Sequence, residues 1–108
     1  IPASAVSVTI KIKSRAEAGP GAVQGVVPKL YFRTITDNGA IAAWNSVVLT
    51  PVSIPTNEFF QYDEQTLSLV GVGVAGDLVQ FELTRDTGSA SDTLVGDWDL
   101  LSLELEFI

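Results

Sequence analysis

A strict two-residue alternation of apolar and polar side chains constrains this chain more than any other feature. Over Ala5 to Lys13, Val6, Val8, Ile10 and Ile12 fall on one face, with Ser7, Thr9, Lys11 and Lys13 facing water. Leu78 to Arg85 repeats the pattern, with Val79, Phe81 and Leu83 opposite Gln80, Glu82 and Thr84. So does Asp97 to Ile108, where Leu101, Leu103, Leu105 and Phe107 oppose Ser102, Glu104 and Glu106. That period belongs to strands with one buried face. No stretch longer than a turn carries the 3.6-residue period of a helix.

The remaining segments are read by their breakers. Ser14 to Gly25 holds Gly19, Pro20, Gly21 and Gly25, and is expected to be an exposed loop. A strand over Val26 to Thr36 sets Leu30 and Phe32 against Tyr31 and Arg33, and Asp37-Asn38-Gly39 then signals a tight turn. The return strand covers Ile41 to Trp44 and extends through Val47, Val48 and Leu49. Pro51 and Pro55 confine Val52-Ser53-Ile54 to an edge or corner. Glu58 to Val70 reads as one or two strands, closed by Gly71, Gly73 and Gly76. Seven or eight short strands at such intervals predict an all-β, antiparallel sandwich of jelly-roll-like type. With no internal repeat or linker, residues 1–108 are expected to form one domain. Val8, Ile10, Phe32, Phe81, Leu83, Leu103 and Leu105 are expected to share its core.

Several functions are excluded by composition. Six Lys and Arg against 13 Asp and Glu give a net charge of −7, without the basic clusters that nucleic acid or anionic membranes require. No apolar run approaches the roughly 20 residues of a membrane-spanning helix. The chain has neither Cys nor His, so thiolate sites, the Ser-His-Asp triad and ordinary zinc sites are unavailable. Glu104 and Glu106 form a carboxylate pair of the kind glycosidases use, but at i and i+2 on a strand they read as a solubilising edge. No enzyme and no cofactor is expected. Ile1 in place of Met is expected of a processed chain or a piece of a longer one, and no basic-then-apolar leader is visible.

What remains is binding and assembly. Eight of the 13 acids lie between Asp77 and Glu106, with Arg85 as their only base. A guanidinium binds carboxylates or carbonyls through two donors at once, so Arg85 with Asp86, Asp92 and Asp97 is expected to clasp the last loop shut. A calcium ion held by the same three acids is the alternative, although their spacing is not that of an EF-hand. Trp44, Trp98, Tyr31 and Tyr62 are candidates for a sugar-stacking platform, against the commoner reading as packing residues. Trp98 and Leu100 are placed on the outward face of the last strand with Ser102, and Ile108 ends that face. With 46 per cent apolar residues, a patch there asks for cover by another element or another subunit. Trp98, Leu100, Ile108 and Trp44 are therefore the expected oligomer interface.

The runs GDLVQFELTRD, DTLVGDW and LLSLELEFI resemble the C-terminal region of bacteriophage virion proteins of tail-fibre, spike or capsid-surface type. The positions that carry the likeness are Gly76, Asp77, Arg85, Asp86, Asp92, Thr93, Gly96 and Asp97, within the last third of the chain. The resemblance implies a β-sandwich in the virion, working by homo-oligomeric assembly, commonly a homotrimer, and by contacts with other virion structural proteins. A carbohydrate-binding module that recognises a host-surface glycan is the alternative.

Overall fold

The structure is a computed structural model that describes residues 1–36, 39–68 and 74–108. The described residues hold no helix and eight strands: β1 (Ser7–Ala16), β2 (Gln24–Val26), β3 (Pro28–Ile35), β4 (Asn45–Val48), β5 (Val52–Ile54), β6 (Gln61–Ser68), β7 (Leu78–Arg85) and β8 (Trp98–Phe107). All pairings are antiparallel, in the orders β6-β1-β8, β4-β3-β7 and β2-β5. The pairing gives a sandwich-like arrangement of three plus three strands with an added ribbon, rather than two four-stranded sheets.

The ribbon is a continuation of the second sheet. Gln24 pairs with Ile54 and Val26 with Val52, and the same hairpin resumes with Lys29 opposite Val48 and Phe32 opposite Asn45. The ladder breaks between them because Pro28 has no N–H to donate. Leu49 N–H bridges the gap by donating to the Pro28 carbonyl at 2.9 Å. The single strand expected over Val26 to Thr36 is thus two, and its return partner is regular only over β4. Ile41 makes just an isolated bridge to Ile35. Gly39 N–H donates to Thr36 O at 2.9 Å, whereas Asp37 and Asn38 of the expected turn lie outside the described residues. Leu69, Val70, Gly71 and Gly73 of the expected sixth-strand end do so as well.

Ile10, Ile12, Leu30 and Leu49 make the main core, against which Leu67, Phe81, Leu83, Trp98, Leu103 and Leu105 pack. A second cluster of Ala16, Val26, Val52, Ile54 and Leu94 lies beneath the ribbon and also meets Trp98. Of the expected core, Val8 is fully buried and lines a neighbouring apolar cavity with Phe32 and Phe81. Three expectations at the chain's start change, the first being Val6, which precedes β1 and is exposed rather than inward. Ser14 to Ala16 continue β1 rather than opening a loop, with Ser14 and Ala16 both buried. Thr9 is buried despite its outward position, because the central strand is flanked on both sides and its hydroxyl meets that of Thr66 at 3.0 Å.

Candidate functional site

Arg85 ends β7 where the chain leaves the second sheet for the first. Its Nε and Nη2 donate to the two oxygens of Asp92, with Nη2 to Oδ1 at 2.7 Å. Nη1 donates to Gly96 O at 2.7 Å, and Nη2 also reaches Leu94 O. One planar fork therefore holds three points of the loop after β7. The loop in turn acts as an added strand beside β2. Asp86 N–H donates to Val27 O at 2.7 Å, Val27 N–H donates to Asp92 Oδ2 at 3.0 Å, and Thr93 and Gly25 exchange bonds of 2.8 and 2.9 Å. Gly25 permits that approach, since a Cβ there would stand 2.6 Å from the Ser91 carbonyl oxygen. Leu94 carries the loop into the second core cluster.

Only 2 per cent of the Asp92 side chain and 18 per cent of that of Arg85 remain exposed. The Arg85 hydrogen bonds hold the Asp92 carboxyl below the usual carboxylate range, outweighing the opposite effect of burial. Of the other two acids expected in the clasp, Asp86 contributes its backbone N–H and not its carboxylate. Asp97 turns to Glu17, whose carboxyl is pushed up by a hydrogen bond with it. With Asp92 saturated by Arg85 and Val27, the three acids are not gathered around one point. No group of three or more acids suited to a metal ion occurs among the described residues. Gly76 and Asp77 form the turn into β7, where Gly76 takes φ +88° and Asp77 Oδ2 accepts Val74 N–H at 3.2 Å.

The expected interface residues separate. Lys13 pairs with Ser102 but Ser14 pairs with Leu100, so Leu101 is an extra residue in β8. Such a bulge shifts the alternation by one, and every side chain before it changes face. Trp98 and Leu100 consequently lie on the inner side with Ala16 and Ser14, and Trp98 packs against both core clusters. The outward placement of these two residues is thereby corrected. Leu100 is still 43 per cent exposed and Leu101 57 per cent, at the margin of the sandwich. Ile108 is exposed at the end of β8, its backbone tied to Val6 and Ser7. Trp44 lies on the outside of the second sheet, under the Arg33 guanidinium at 4.3 Å.

The two flanks of the sandwich differ in chemistry. On one, β6 borders the β4–β5 corner at Leu49 and Val52, both buried, and its inward row is Gln61, Asp63, Gln65 and Leu67. On the other, Val79, Phe81 and Leu83 of β7 and Leu103, Leu105 and Phe107 of β8 reach the inner faces beside Trp98 and Leu100, and all six are left half-buried. Leu100 and Leu101 extend that apolar seam. Both strands at the seam are sheet edges.

No family model, curated protein or solved structure matches this chain.

The fold does not assemble a sugar platform. Tyr62 stands on the outer face of the first sheet beside Lys13, Tyr31 and Trp44 belong to the second sheet, and Trp98 is inside. Glu104 and Glu106 are outward on β8, and Glu106 pairs with Lys11 at 2.7 Å. The sequence reading had no place for the polar inward row of β6, and it put Leu101 on the buried face with Leu103, where the structure has a half-exposed bulge residue. The polar row was detectable from Leu67, which puts Asp63, four residues earlier, on its own face. The bulge left no signal in a run of alternating leucines.

Proposed function

We propose that this chain is a non-catalytic structural module that assembles with copies of itself as a homotrimer, within a bacteriophage virion and in contact with other virion proteins. The assembly rests on one observation: the all-apolar, half-open seam between β7 and β8, opposite a flank closed by polar side chains. Apolar surface of this kind is driven to leave water. A heterologous contact repeated around a threefold axis covers three such seams and leaves none free, whereas an unclosed one grows into filaments. The acids of β8 point to the other face, so they do not enter the buried surface. The virion and the trimer are supported by the resemblance of Gly76 to Ile108 to phage fibre, spike and capsid-surface proteins.

Sedimentation of the purified domain tests this reading. The wild type is expected at the mass of three chains at micromolar concentration. A Leu100→Asp, Leu101→Asp double variant is expected at the mass of one, with an unchanged far-UV spectrum, because both side chains are already partly in water. A wild type that remains monomeric at millimolar concentration rules the proposal out.

A further inference from the structure

We propose that Asp63 makes edge strand β6 a proton-dependent latch, seated against the β4–β5 corner when its carboxyl is neutral and loosened when it ionises. The register places Asp63 opposite Ile12, on the inner face of the sandwich. There it borders a cleft of about 110 Å³ with Ile10, Ile12, Leu49, Pro51 and Val52. Its Oδ2 is shut off from solvent and has no hydrogen-bond partner in the chain. A carboxylate with one oxygen cut off from water and unpartnered is disfavoured as the anion, and it neutralises where it can.

The charges around it leave the proton as the means of doing so. On β1, Lys11 and Lys13 belong to the opposite face, and Arg15 is held by Asp99 at 3.3 Å. The β4–β5 corner contributes Thr50 and Pro51 to the cleft, with no charge. On β6 itself, the one other titratable group bordering the cleft is Glu64, whose carboxylate accepts the Tyr62 hydroxyl at 2.7 Å on the outer face. No cation faces Asp63 from these elements. Among the described residues three further buried groups lack partners: Gln61 Nε2, Ser14 Oγ and Trp98 Nε1. Gln61 lies beside Ser14 in the ladder, and Trp98 is one inward position further along. The indole N–H of Trp98 is a donor only and cannot ligate a metal ion. Desolvation accordingly pushes the Asp63 carboxyl above the ordinary aspartate range. Only two residues on, Gln65 Oε1 accepts Thr50 N–H at 2.8 Å and ties β6 to the corner, so strain at Asp63 falls on the contact that seats the strand.

The sign follows from the raised value. Asp63 favours folding fully below its unfolded-state value, and that contribution is lost as pH rises through the folded one. Melting curves of wild type and Asp63→Asn between pH 3 and pH 8 are the test, with amide exchange over residues 61–68. The two proteins should melt together at pH 3. At pH 7 the variant should melt higher, with slower exchange along β6. A variant that melts lower at pH 7, or a gap that does not change with pH, overturns the latch. So does a gap closed by calcium or potassium chloride, which would make a cation the occupant. Carbon-13 titration of the wild-type carboxyl gives an independent reading, and a value in or below the ordinary aspartate range is equally fatal. β6 lies on the flank away from the β7–β8 seam, so this outcome is independent of assembly.

Discussion

Arg85→Ala is expected to lower the unfolding free energy by about 3 kcal/mol, the lower end of what breaking a buried ion pair costs. The lower end applies because part of the guanidinium remains in water. The cost arises at Asp92, whose side chain is all but fully buried and would keep only the Val27 N–H for its charge. The carbonyls of Leu94 and Gly96 lose their donor in the same step. Arg85→Lys should recover only part of the loss, since an ammonium cannot span Asp92 and two carbonyls in one plane. Urea denaturation at pH 7 measures both. The depressed Asp92 carboxyl adds a pH signature. Its contribution is present above the unfolded-state value of an aspartate and lost as pH falls through the folded one, and Asp92→Asn should show no such loss. If chelator lowered the melting temperature while Arg85→Lys changed nothing, calcium would be the organiser in place of Arg85.

Leu30→Ala should cost about 3–5 kcal/mol, a large share of the 5–15 kcal/mol that holds a typical domain together. Leu30 has no exposed surface and stands on the central strand of its sheet, packed against Ile10 and Ile12 of β1. Leu103→Ala should cost nearer 2 kcal/mol in the monomer, because Leu103 faces the open seam and neighbours can relax into the gap. The two variants should also differ in their dependence on protein concentration. Association stabilises the folded state by mass action, so the Leu103→Ala deficit should widen as concentration rises, while the Leu30→Ala deficit stays nearly constant. Equal costs at all concentrations would mean that the seam is not a contact surface.

Where alternation was long and uninterrupted, the sequence was a faithful guide. β7 runs over Leu78–Arg85 as expected, and β8 begins one residue after Asp97 and ends one before Ile108. The all-β, antiparallel class followed from the same pattern. The errors cluster where a local backbone event outweighs the pattern. Leu101 sits in a run of leucines that looks regular in either register, so the bulge that turns Trp98 inward was invisible. Ser14 to Ala16 lack the β-branched residues that mark a strand; Ser14 is held in β1 by pairing with Gln61 of β6 and Leu100 of β8, and Arg15 and Ala16 by pairing with β8 beyond the bulge. Pro28 was visible, yet the break it makes matters because Asp92, 64 residues later, supplies the bond missing at Val27. The clasp was legible in part. A lone arginine among acids signalled a partner, but the choice of Asp92 over Asp86 or Asp97 is decided by the three-dimensional course of the loop.

The assembly through the β7–β8 seam is tested most directly by amide hydrogen exchange followed as a function of protein concentration. Protection of the β8 amides over Trp98–Phe107, and of the facing β7 amides, should rise with concentration in step with the solution mass. Those of β6 should stay as they are. Protection that rises in β6 instead, or an exchange pattern that does not depend on concentration at all, would contradict the account.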